Sequence, residues 1–234
     1  MTRPREWVRV VSDLGEVRAR SVFLVGCGQC ATVAGTGGQD EVLEAQRRLV
    51  AEGFEVTGWT VGDVTCHSGE MRLEMRRHSV EIERADALVV LACGAGVQTV
   101  AEWVSLPVFP ALESAFLGTI VRRGVFEERC QMCGACVLDV TGGICPVTTC
   151  PKGLLNGPCG GMWDGRCELL SDRDCAHVRI QRRLAEQGRD AVPPVLPPRD
   201  FSASTKPGSV DLRGATGRRA RRAEADRPEG DDGR

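Results

Sequence analysis

The chain has 234 residues, a formal net charge of −2 and a pI near 6.0, so bulk charge favours neither nucleic acid nor an anionic membrane surface. No apolar run approaches the ~20 residues of a membrane span, and the N-terminal MTRPREWVRVV has charge but lacks the apolar region of a signal peptide. A cytoplasmic chain is therefore expected, and there twelve cysteines point to metal ligands or redox centres, with a disulfide framework as the bland alternative.

Residues 1 to about 20 are polar with a few apolar positions and predict a short outer helix. Ser21-Val22-Phe23-Leu24-Val25 reads as a buried strand. After it come Cys27-Gly28-Gln29-Cys30 and the glycine-rich turn Gly35-Thr36-Gly37-Gly38. Asp40 opens a helix to about Ala51, with Val42, Ala45 and Leu49 on one face and Gly53 as its stop. Phe54 to Thr60 predicts a second strand, with Cys66-His67 in the loop beyond. Met71, Met75, His78 and Ile82 give a helical period over Gly69 to about Arg84. Ala87 to Leu91 is a third strand, Ala95 to about Val104 a short helix, and Pro107-Val108-Phe109-Pro110 the start of a short fourth strand. This alternation predicts an α/β fold, a short parallel sheet with flanking helices.

The layout gives the first four cysteines a common address. Cys27 and Cys30 follow the first strand, Cys66 the second and Cys93 the third, so all four lie beyond carboxyl ends, the ligand-binding edge of a parallel sheet. Converging thiols there suit zinc or a [4Fe–4S] cluster. Sulfur separations of roughly 3.5–4.5 Å would mark zinc, about 6–7 Å a cube, and more than about 10 Å no shared metal. Two alternatives stand beside this reading: Cys66 and Cys93 as ordinary buried cysteines, and Cys27-x-x-Cys30 as a redox pair. His67 is an alternative ligand, whereas His78 falls on an apolar helix face and reads as a core residue. Neither Gly94-Ala95-Gly96 nor Gly35-Thr36-Gly37-Gly38 completes a phosphate-binding fingerprint, and both read as turns or as backbone that lets a cluster approach.

The other eight cysteines, Cys130, Cys133, Cys136, Cys145, Cys150, Cys159, Cys167 and Cys175, crowd a glycine-rich stretch with few large apolar residues. Such a stretch builds little core, and thiolate–metal bonds are the natural substitute. Cys130-x2-Cys133-x2-Cys136 is half of a bacterial ferredoxin signature, and its spacing groups these three thiolates with one more distant thiol around a cube. Cys145-Pro146 and Cys150-Pro151 depart from the standard run. Eight thiolates match two [4Fe–4S] clusters, and two structural zinc ions are the competing assignment. His177, two residues after Cys175, could reach the same site. Residues from Ala176 to Gln187 read as a closing helix ended by Gly188. The composition thus divides the chain into an α/β domain over 1–125, a loop-rich cysteine-rich iron–sulfur module over 126–189 and a disordered C-terminal tail over 190–234, whose Arg218 to Arg222 run reads as a solvated basic patch.

The run TGGICPVTTCPKGLLNGPCGGMWDGRCEL with Asp174-Cys175 closely resembles the methylenetetrahydrofolate reductase C-terminal-like family. Gly26 to Thr32, Ala92 to Thr99 and Pro110 to Ser114 resemble it as well, so the resemblance covers roughly residues 20 to 188. It implies cysteine ligation at the matching positions and an iron–sulfur or zinc-bearing small subunit. It also implies a partner, the flavin-containing catalytic subunit that acts on 5,10-methylenetetrahydrofolate, with ferredoxin or a similar donor supplying electrons. A (β/α)8 barrel needs about 250 residues, so this chain should not reduce folate alone.

Overall fold

The computed structural model describes residues 1–122, 124–199 and 206–210. The first residues form β1 (Thr2–Pro4) and the amphipathic helix α1 (Trp7–Glu16), which buries Val10 and Leu14. The uncharged run Ser21–Cys27 becomes β2, buried at all seven positions. Next come α2 (Cys30–Ala34), α3 (Gln39–Ala51) and β3 (Glu55–Gly62). The expected single helix after Gly69 is two, α4 (Ser68–Arg77) and α5 (Ser79–Glu83), parted at His78. The fully buried β4 (Ala87–Leu91), α6 (Gly94–Ala101) and the short β5 (Val108–Pro110) complete the layered part of the chain.

β2 lies between β3 and β4, and β5 flanks β4, giving a parallel sheet in the order β3-β2-β4-β5. Right-handed crossovers then fix the layers. The chain steps one way from β2 to β3 and the opposite way from β3 to β4, so α3 covers one face and α4 to α6 the other. Contacts agree: Arg48 of α3 stacks over Trp7 of α1 at 4.2 Å, and α4 packs on α6. Val22, Phe23, Leu24, Val25, Leu88, Val89 and Val90 are wholly buried in the sheet, each contributing roughly 1.5–3 kcal/mol. The reversal of strand order falls between β2 and β4, the topological switch point.

Beyond the sheet, β6 (Leu112–Ser114) pairs antiparallel with β1, and β7 (Leu117–Arg122) with β8 (Val125–Cys130) forms a separate hairpin. The hairpin straddles the boundary at 125–126 drawn from composition, and β8 delivers the chain directly to Cys130. The cysteine-rich stretch that follows is loop, with one four-residue helix, α7 (Pro146–Thr149), before α8 (Ala176–Glu186). Gly188, at φ 67°, ends α8 as expected.

Residues 190–199 contain no helix or strand. They are nonetheless held, because the Asn156 side-chain amide donates to the Leu196 carbonyl and accepts from its N–H, both at 2.8 Å. The remainder of the expected tail, 200–205 and 211–234 with its arginine run, lies outside the described residues. Among the described residues no helix is long and apolar enough to cross a membrane.

Candidate metal centres

At the carboxyl edge of the sheet, backbone fit decides where the thiols stand. The Cys27 N–H donates to the Gly37 carbonyl at 2.8 Å, folding the glycine-rich turn back over the end of β2. Thr65 is wholly buried, and its hydroxyl donates to the Gly26 carbonyl at 2.8 Å, tying the loop after β3 to the end of β2. The Gly28 N–H donates to the Gly62 carbonyl at 2.8 Å and the Gln29 amide to Asp63 at 3.0 Å. Cys27 is therefore buried at the end of β2, Cys30 opens α2 in solvent, exposed Cys66 follows Thr65, and half-buried Cys93 caps α6.

The Cys66 thiol stands within electrostatic reach of the other three. Partial burial pushes the Cys66 thiol up, and the proximity of Cys93, Cys27 and Cys30 pushes it further. Burial also pushes Cys27 up, but N–H groups of Thr65, Gln29 and Ala31, with the Thr65 hydroxyl, outweigh it and hold that thiol below its ordinary value. Since the single Thr65 hydroxyl hydrogen is already given to Gly26, the backbone N–H groups are what favour the Cys27 thiolate.

His67 has a different task from the ligand role suggested by its neighbour. Its Nδ1 accepts the Glu70 N–H at 3.2 Å and caps α4. An imidazole that accepts at Nδ1 in its neutral form carries its proton on Nε2, so this tautomer has no free lone pair for a metal. His78 stacks near Phe23, with ring centroids 5.5 Å apart, between Glu74 and Glu81.

The second group of thiols surrounds a cavity of about 780 Å³ at the foot of β8 and α8. Cys150, Cys159, Cys167 and Cys175 line it, together with Lys152 and His177. The Lys152 ammonium lies 3.8 Å from Cys159 Sγ and is paired with Glu168, which holds it above its ordinary pKa. The Glu168 carboxylate lies 3.7 Å from the same sulfur, so Cys159 meets one charge of each sign. Asp174 binds Arg166 at 3.1 Å and Arg182 at 2.8 Å, fixing the chain immediately before Cys175 to α8. His177 is buried and donates through Nε2 to the Leu154 carbonyl at 3.1 Å, while burial lowers its pKa. It pins the Leu154–Gly157 loop. A Cβ on Gly157 would come within 2.4 Å of its ring.

Cys130, Cys133, Cys136 and Cys145 are not among the walls of that cavity. Cys130 ends β8 and accepts the Met132 N–H at 3.2 Å, while Cys133 points to the Ala135 carbonyl at 4.0 Å. Cys136 is exposed, and Cys145 caps α7.

Residues 109–202 match the family model described as methylene-tetrahydrofolate reductase C terminal. No curated protein and no solved structure matches the chain. The matched segment runs from β5 through α8, so it contains all eight cysteines of the module and none of the four at the sheet edge.

Among the described residues no group of three or more His, Cys, Asp or Glu side chains is arranged to hold a single metal ion. Four thiol sulfurs line the one cavity, with Lys152 and Glu168 both beside Cys159, and four more lie at or beyond strand ends at the sheet edge, with N–H groups at Cys27. Sequence reasoning missed residues that stand against them: Thr65 at Cys27, and Lys152 and Glu168 at Cys159. Glu168 and Lys152 carried no local signal, because charged residues in a loop ordinarily mean only solvent exposure.

Proposed function

We propose that the protein is an iron–sulfur accessory subunit that delivers electrons to a methylenetetrahydrofolate reductase-type flavoenzyme. The observation that carries this reading is the wall of four cysteines, Cys150, Cys159, Cys167 and Cys175, around one cavity inside the matched segment. Cys150, Cys159, Cys167 and Cys175 would hold one [4Fe–4S] cluster, and Cys130, Cys133, Cys136 and Cys145 a second. Cys27, Cys30, Cys66 and Cys93 would hold zinc or a further cluster. Bound clusters supply one-electron transfer, from a donor such as ferredoxin to the flavin of the partner, where the chemistry on 5,10-methylenetetrahydrofolate takes place. The reduction itself belongs to that partner, because the described sheet is open and four-stranded whereas a catalytic barrel closes eight strands.

A second reading, thiol–disulfide exchange at Cys27 and Cys30, draws on the N–H groups that favour the Cys27 thiolate. Its exposure pattern is unfavourable. The thiol that those N–H groups favour is only 7% exposed, and a nucleophile must be both ionised and accessible.

Anaerobic purification with iron, sulfide and zinc analysis tests the proposal. Two clusters give about eight irons with matching sulfide and broad absorption in the visible. Cys167→Ser should remove about half of the iron and sulfide assigned to the module. A colourless protein containing zinc and no sulfide would overturn the electron-transfer role in favour of a structural zinc subunit.

A further inference from the structure

Away from the thiols, α4, α5 and the segment entering β5 enclose a cavity of about 500 Å³, within the size range of small-molecule sites. Its floor is apolar: Met75 and Ile82 are buried, and Val104 and Leu106 are half-buried. Its rim carries Arg72 and Arg76 from α4 and, opposite in sign, Glu83. The two arginines are spaced i, i+4, so they stand one turn apart on the same side of the helix. Their neighbours are neutralised, Arg77 by Glu74 at 3.0 Å and Arg84 by Glu55 at 3.1 Å. Among the described residues neither Arg72 nor Arg76 makes an ion pair, so two like charges stand one turn apart on the rim.

One of them is already positioned. The Arg72 guanidinium sits over the Trp103 ring, 5.7 Å from its centroid, and the Trp103 indole N–H donates to Ser68 at 3.2 Å. A guanidinium held this way presents a fixed planar fork, the geometry that matches a carboxylate. Glu83 on the same rim opposes a polyanion and so limits the ligand to one negative head. The apolar floor requires a body as well as a head, which excludes simple inorganic anions.

We propose that this cavity binds a small monocarboxylate with an apolar or aromatic body, its head on Arg72 and Arg76 and its body on Met75, Ile82 and Leu106. The site is independent of the thiols and of the electron-transfer reading.

Isothermal titration of the full-length protein with 2-naphthoate, its neutral counterpart 2-naphthamide, and acetate tests this. The expected result is saturable binding of 2-naphthoate, with 2-naphthamide weaker by about tenfold or more, the scale of a charge-assisted hydrogen bond. Acetate should bind too weakly to compete. Arg72→Gln and Arg76→Gln, both at exposed positions that leave the fold intact by circular dichroism, should each weaken 2-naphthoate by about tenfold while leaving 2-naphthamide unchanged. Equal affinities for 2-naphthoate and 2-naphthamide would overturn the proposal, as would 2-naphthoate affinity unchanged in both variants. Absence of 2-naphthoate binding at millimolar concentration would overturn it too.

Discussion

Gly37 decides what the sheet edge can accept. A Cβ at this position would stand 2.0 Å from the Leu91 carbonyl oxygen, and one on Gly26 would stand 2.7 Å from the Gly37 carbonyl oxygen. Three backbone segments therefore touch directly where β2 and β4 diverge. The crevice that receives a nucleotide in related sheet topologies is filled here by the protein's own chain. Gly37→Ala must push the turn away from β4, and the expected destabilisation is about 3 kcal/mol or more, in the range of backbone strain and overpacking. Gly15→Ala is the control. It lies in α1 with open space around it, and alanine there should raise stability by up to about 1 kcal/mol. Urea unfolding of both variants checks the contrast, and equal effects would show that Gly37 is merely a turn residue. The turn formed by Gly35, Gly37 and Gly38 was legible in sequence. The need for glycine at 37 was not, because the atom Gly37 must avoid belongs to Leu91, distant along the chain.

The helices over the sheet show the same division between what is local and what is not. The spacing of Met71, Met75 and Ile82 correctly placed those residues on the core face, since all three are buried. It did not place the break at His78, where the ring makes a long-range contact with Phe23 that local spacing does not reveal. The β7–β8 hairpin was missed for a related reason: its strands expose Ile120, Val121 and Glu127 and lack the buried alternation that marks a strand. Glu74 joins α4 to the sheet. It accepts the Thr60 hydroxyl at 2.6 Å and Arg77 at 3.0 Å. Burial pushes its carboxyl up, but Thr60, Arg77 and His78 outweigh this and leave its pKa lowered. A carboxyl with a depressed folded pKa contributes stability above its unfolded value of about 4.3 and loses it as pH falls through the folded value. Glu74→Gln should therefore lower stability at pH 7 and flatten the loss of stability below about pH 4.3. Asp86, held down by the N–H groups of Arg20 and Ser21, keeps a residual slope in the same window. Unfolding free energies across the acid range check this, and a slope unchanged by the substitution would remove Glu74 from the acid response.

Across the whole molecule, apolar burial is unevenly divided. The main core extends from Val10 to Leu112 and is centred on β2 and β4. Among the described residues of the cysteine-rich module, apolar burial is limited to Val147 and Pro146 of α7, Cys175, and the inward face of α8, with Ala176, Ile180 and Leu184. The layered part can therefore hold its shape by hydrophobic burial, whereas the stretch from Cys130 to Cys175 has a few hydrogen bonds and the Asp174–arginine pairs, to which the proposed function would add thiolate–metal bonds. The scarcity of core there was legible from composition, because many glycines and few large apolar residues cannot fill one. The gathering of Cys150, Cys159, Cys167 and Cys175 around one cavity was not, since their irregular spacing sets no local geometry. Removing bound metal should consequently act on one part of the chain. Chelation under anaerobic conditions is expected to raise amide hydrogen exchange and proteolysis throughout residues 130–175, while β2 and β4 keep their protection because their burial involves no thiolate ligand other than Cys27. Loss of protection spreading uniformly into β4 would show that the module and the sheet unfold as one unit. Unchanged exchange in 130–175 after complete metal removal would show that hydrogen bonds and ion pairs alone suffice to hold the loops.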